Sequence, residues 1–264
     1  MQRAVGVGRL SVKQRNGRTR INRLYQEGCA KIRIPNTYHG TALEAVLINS
    51  SGGVTGGDRM NWSFEAGPDT HLMLTTQASE KIYKSSAGVA VNTVTLKADR
   101  AARLAWLPQE SIVFNRAGFA RTITADLADD AEALFLEPII LGRRSMGEHV
   151  LHADLRDTWR ISQGGQLIHA EDFRLSGDIA SILSQRAVTG GLTAFATLLF
   201  VSPRADGFLN EARELIGKNG GVSCWNGKLL ARVMAEDSFQ LRKILLPLVA
   251  LMNFEADLPK VWSL

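Results

Sequence analysis

The sequence predicts a mainly β chain that closes with a small helical part, and three observations carry that prediction. Asn16-Gly17 and Asn226-Gly227 are tight-hairpin dipeptides, each set between alternating segments, because both central residues of a type I′ turn need positive φ. From Leu151 to Ile161 the chain alternates with period two. Leu151, Ala153, Leu155, Trp159 and Ile161 fall on one side and charged or polar residues on the other, with only Asp157 breaking the apolar face. That is the pattern of a half-buried strand. Helical periodicity, by contrast, begins only near residue 206.

Taken in order, the Asn16-Gly17 hairpin opens the chain, and further β segments are expected at 42–49, 60–66, 70–77, 89–97, 103–107, 119–127, 166–175 and 192–201. Their spacing suggests stacked antiparallel sheets rather than βαβ units. No internal repeat stands out. The glycine-rich stretch "INSSGGVTGGDRM", Ile48 to Met60, has the G-x-x-x-x-G spacing of a phosphate loop at Gly52 and Gly57. The Lys and Ser or Thr that such a loop requires are replaced by Asp58 and Arg59, and a carboxylate there repels phosphate. The glycines are therefore expected to serve positive φ or close backbone approach between strands.

Two helices follow the strands. "DGFLNEARELIGKNGG" has Asp206 as a candidate cap and an apolar stripe of Phe208, Leu209, Ala212, Leu215 and Ile216. "DSFQLRKILLPLVALMNF" carries Leu241, Ile244, Leu245 and Leu248 at helical spacing, with Pro247 expected to kink it because a hydrogen bond is lost. The β body spans about 1–202 and 222–235, and the helices about 206–218 and 237–253. No Pro/Ser/Gly-rich linker divides them, so a single domain over 1–264 is expected.

At 264 residues the chain can bury a sizeable core. Its longest apolar runs stop short of the ~20 residues that span a bilayer, so no membrane association is expected. Residues 1–34 hold nine Lys or Arg against Glu27 alone. Such a surface steers an acidic macromolecule or guards a sheet edge. A nucleic-acid binder would also interleave aromatics there; Tyr25 alone is thin support, and no nucleic acid is expected. Cys29 and Cys224 lie far apart with no C-x-x-C, which argues against structural zinc and a disulfide framework and points to a reducing, cytoplasmic compartment.

Few residues advertise chemistry. In "GEHVLH", His149 and His152 would clamp a metal on a helix, but on the expected strand they face opposite ways. In "LIHAEDFRL", His169 and Glu171 fall in register with Leu167, Phe173 and Leu175. A polar pair on an apolar face is either a satisfied hydrogen-bonded pair or the lining of a polar passage. Asp58, Glu80, Glu110, Glu137 and Glu148 each stand in a turn-like setting beside an apolar strand. No G-x-S-x-G elbow occurs, and neither Cys lies near a His in sequence.

The words "NSSGGVTGGD" (49–58), "TTQASEKIYKS" (75–85), "WLPQESIVF" (106–114), "EPIILGRRSMGE" (137–148) and "LPKVW" (258–262), in this order, resemble the urease accessory protein UreD (UreH) family over nearly the whole chain. Asn115 departs from it, since an acidic residue is more usual there. The resemblance implies a β-helix-like stack of antiparallel or mixed sheets with a small C-terminal helical part. It also implies a non-enzymatic scaffold in urease maturation that binds the urease apoprotein and recruits the F-type accessory protein, and through it the G-type GTPase that carries nickel. Nickel would pass in transit through a polar internal tunnel, with no cofactor permanently bound. A closed imidazole and thiolate cage would hold Ni²⁺ too well to hand it on, so a conduit should offer scattered carboxylates. The candidates for the passage or its supports are Asp58, Glu80, Glu110, Glu137, Glu148, His169 and Glu171. The alternative is a metal-dependent hydrolase with a dispersed Asp/Glu/His site.

Overall fold

The fold is seen in a computed structural model that describes residues 3–35, 42–143 and 146–262. The chain first makes a hairpin of β1 (Val5–Arg15) and β2 (Arg18–Gly28), then β3 (Ala30–Arg33) and β4 (Leu43–Asn49). From there it winds between two sheets. β5 (Arg59–Ala66), β8 (Ala90–Ala98), β11 (Ala117–Leu127) and β13 (His152–Gln163) stack in one sheet. β4, β6 (His71–Thr76), β9 (Arg103–Leu107) and β12 (Glu132–Leu141) stack in the other. Short β7 (Glu80–Ile82) and β10 (Ser111–Val113) pair with each other at the turn of the coil, and β10 also pairs with β12.

All of these stacked pairs are parallel. The architecture is therefore the β-helix-like stack that the family resemblance implies. The antiparallel expectation drawn from spacing alone holds only at the margins: at the β1–β2 hairpin, at β3–β4, where β13 meets β14 (Gln166–Asp178), and where β12 continues through β15 (Ala194–Val201), β17 (Lys228–Ala235) and β16 (Gly220–Trp225). Equivalent positions recur at intervals near one coil length, 32 residues from His71 to Arg103 and 29 from Arg103 to Glu132. No repeat is visible in the sequence because backbone pairing demands burial at those positions, not residue identity.

Two cores form three layers. Between the sheets lie Trp62, Phe64, Leu96, Ile123, Phe135, Trp159 and their neighbours. On the outer face of the second sheet, Leu134, Leu136, Leu198 and Phe200 pack against α2 (Leu209–Ile216) and α3 (Ser238–Met252). β12 is thus buried on both faces, which is why "EALFLEPIIL" shows no alternation and escapes a sequence reading. A short helix, α1 (Ile179–Ser184), was also unannounced; Asp178 caps it by accepting from the Ser181 amide.

Both Asn-Gly turns form as expected, with Asn16 at φ 52° and Asn226 at φ 48°. Asp206 does not cap α2. It sits inside a 3₁₀ turn over Ala205–Phe208 that leads into the helix, and Gly217 at φ 55° ends it, earlier than Gly220. Asp237 caps α3, and Pro247 is accommodated within that helix. β2 is an edge strand, so the basic N-terminal residues do flank a sheet edge. Among the described residues no helix is long and apolar enough to cross a membrane, and Cys29 and Cys224 are both free.

Candidate functional site: a polar neck between two cavities

The parallel register lines up side chains in rows across the first sheet. Trp62, Val94, Ile123 and Trp159 form one row, and Phe64, Leu96, Ala125 and Ile161 another. The row beside them reads Met60, Asn92, Arg121, Asp157. An apolar interior therefore carries one polar row, and its far end faces the second sheet. There, β9 stops at Leu107 and β10 starts at Ser111, so Pro108–Glu110 interrupts the ladder beside β12. Glu137 stands on β12 next to that interruption and points into the inter-sheet core.

These residues meet. Arg121 donates from Nε to Asp157 Oδ1 at 3.1 Å and from Nη2 to Oδ2, while its Nη1 touches Glu137 Oε2. Trp106 donates to Glu137 Oε1 at 2.8 Å, and Trp159 donates to Asp157 Oδ1 at 3.0 Å. Arg121, Glu137 and Asp157 are 4%, 2% and 7% exposed, so this charge is largely withdrawn from solvent. Burial drives the Glu137 carboxyl up, and the nearby Asp157 charge adds to that; Arg121 opposes it without prevailing. Burial alone would lower the Arg121 pKa, but the two carboxylates more than reverse this and fix it as a cation.

Two cavities end at this cluster. One, of about 200 Å³, runs past Asn49, Gly53, Glu80 and Gln109 to Arg121 and Glu137. The other, of about 340 Å³, runs past Glu171, Arg232, Phe173 and Thr197 to Glu137 and Asp157. Glu137 lines both. A third void of about 10 Å³ lies between Ser111, Arg121 and Asp157. The cluster is a neck between two chambers, each with a further carboxylate on its wall. In the first chamber, burial pushes Glu80 up to about 7, partly offset by hydrogen bonds from Asn49 Nδ2 at 3.2 and 3.3 Å. In the second, Glu171 is bound by Arg232 Nη2 at 2.6 and 2.7 Å, with His169 Nε2 4.0 Å away. Burial lowers the His169 pKa, so the ring is neutral near pH 7.

Of the seven residues expected from sequence, three thus line the chambers, Glu80, Glu137 and Glu171, while His169 lines neither and lies beside Glu171 against the Trp159 ring. Leu167 does not share their face. A register shift opposite Ile161/Ser162 turns it outward, to 58% exposed. The other three bind protein groups elsewhere. Asp58 accepts from the Ala4 and Thr55 amides, both at 2.8 Å, and staples the N-terminus to the glycine loop. That loop is structural: a Cβ on Gly53 would lie 2.6 Å from Lys81 O, and one on Gly56 1.9 Å from Ser85 Oγ. Glu110 is gripped by Arg242 of α3, whose Nη2 lies 2.9 Å from Oε2. Burial would raise its pKa, but the bonds and charge of Arg242 hold it below the ordinary carboxylate value. Glu148 accepts from Arg143 Nε at 2.8 Å in a surface loop. His149 lies before the strand, which starts at His152. Among the described residues no three His, Cys, Asp or Glu side chains converge as ligands.

Arg121, Asp157 and Arg232 were not foreseen as site residues. The signal for Asp157 was present as the one break in the apolar face of its strand. Arg121 gives the same signal, standing between Phe119 and Ile123 on the buried face of β11. Asn115, the departure from the family pattern, accepts from the Leu151 and His152 amides at 3.0 Å each, a role an acidic residue fills equally well.

A family model described as UreD urease accessory protein matches residues 4–263. The urease accessory protein UreD of Rhizobium johnstonii is 52% identical over 264 residues, covering 100% of this chain and 96% of that protein. Those of Mesorhizobium japonicum and Agrobacterium fabrum are 51% and 49% identical, again over 100% of this chain and 95% and 92% of theirs. The chain therefore belongs to the UreD urease accessory protein family.

Proposed function

We propose that this chain serves urease maturation as a non-catalytic scaffold that passes nickel, as cargo, through its β body towards the urease apoprotein. The observation that carries the reading is the pair of cavities that converge on Glu137, with Glu80 on one wall and Glu171 on the other. Spaced carboxylates in a low-dielectric interior attract a divalent cation, while too few converge at one point to keep it. Urease, an F-type accessory protein and, through it, a G-type GTPase that delivers nickel are the partners this role requires, in the cytoplasm where urease is assembled. The Glu110–Arg242 and Asp58 contacts then serve as supports, fixing the C-terminal helix and the N-terminus on either flank of the first chamber.

Co-expression tests this reading. Nickel-free urease together with the F-type and G-type proteins should stay inactive when this chain is omitted and become active when it is restored, and the chain should co-purify with urease. Full activation without it contradicts the role.

A further inference from the structure

The neck between the cavities is filled by a side chain of the protein itself. One guanidinium faces two carboxylates, with Ser111 Oγ 3.3 Å from Arg121 Nη1 as a further oxygen. With both acids ionised, the group carries one more negative charge than Arg121 cancels. The two pairings are also unequal. Asp157 sits in the guanidinium fork with aligned hydrogen bonds, whereas Glu137 Oε2 has Nη1 beside it but makes no hydrogen bond, inside a residue 2% exposed. That oxygen is a buried acceptor in direct ion contact with Arg121 but without an aligned hydrogen bond from it. Stability alone does not call for such a group, since buried ion pairs often hold a fold no better than apolar side chains of the same volume, and the adjoining rows are apolar.

We propose that Arg121 is a resident stand-in for a divalent cation: Glu137, Asp157 and Ser111 Oγ form a latent oxygen-donor site, and a metal ion enters it by displacing the guanidinium. That the displacing ion is one in transit rests on the conduit reading; the latent site itself does not. Carboxylate and hydroxyl oxygens are hard donors, suited to an ion that exchanges, and three of them make an incomplete shell that releases what it binds. The displaced side chain has somewhere to go, because Arg121 already lines the 200 Å³ chamber.

The test is equilibrium dialysis of the purified full-length chain against nickel(II) alone. Arg121→Met is expected to gain a stoichiometric ion that wild type lacks, and adding Glu137→Gln to that variant should abolish the gain. Arg121→Lys keeps a positive charge but loses the fork, and carries the test if the Met variant fails to fold; its nickel affinity should rise about tenfold or more over wild type. Folded Arg121 variants that bind nickel no better than wild type overturn the proposal, as does a gain that survives Glu137→Gln. Urease activation is not read in this experiment, so its failure leaves the conduit reading standing.

Discussion

Replacing Arg121 by Met is expected to lower stability by about 3–5 kcal/mol, because it strands two buried carboxylates in an interior that cannot solvate them. Arg121 spans the sheets, binding Asp157 of β13 and Glu137 of β12, so the loss falls on the packing of one sheet against the other. Denaturant unfolding of wild type and variant measures it. The companion expectation separates cost from function. Replacing Arg121, Glu137 and Asp157 together by apolar residues of similar volume should recover most of that loss, yet the resulting protein should no longer support urease activation. Equal stability of wild type and the single Met variant would mean that the cluster is solvated and the neck is open.

Trp262→Ala is expected to cost a further comparable amount, about 3–5 kcal/mol. The ring is 2% exposed, and its Nε1 donates to Leu107 O at 3.1 Å and to Thr75 Oγ1 at 3.3 Å. Arg242 lies over it, 5.6 Å from the ring centroid, while gripping Glu110, and Gln109 Nε2 donates to Val261 O at 3.0 Å. The tryptophan thus closes a clamp that joins the C-terminal segment and α3 to the break between β9 and β10, where the first chamber opens. Truncation removes a large apolar contact and leaves Leu107 O without this donor. The variant should unfold at lower denaturant and be cut sooner by protease near its C-terminus; unchanged protection of that segment would show that the clamp is dispensable.

What could be read from the sequence follows from range. Turn chemistry is local, so both Asn-Gly hairpins and the structural character of the glycine loop were legible. Strands with one buried face were legible too, from Arg59–Ala66 to His152–Gln163. β12 was not, because burial on both faces erases alternation. Parallel stacking was invisible to spacing, since a coil that returns after 29 to 32 residues repeats a backbone path without repeating residues; the family resemblance implied the β-helix-like stack, but with antiparallel or mixed sheets. At the site, Glu137 and Glu171 could be named as candidates, but nothing local distinguishes them from Glu110, whose partner Arg242 is 132 residues away. Arg121 was missed for want of a rule that a buried face broken by one charge has an opposite charge across from it; Asp157 and Arg121 are that pair, adjacent in register on neighbouring strands.

The most direct measurement of the central claim is the nickel content of urease matured in cells with the Glu137→Gln/Glu171→Gln chain in place of wild type. Both substitutions keep side-chain shape and one acceptor oxygen each, towards Trp106 or Arg232, while removing charge from the neck and the second chamber. The account predicts urease that still co-purifies with the variant but carries far less nickel than urease matured with wild type; normal nickel loading by that variant would contradict it.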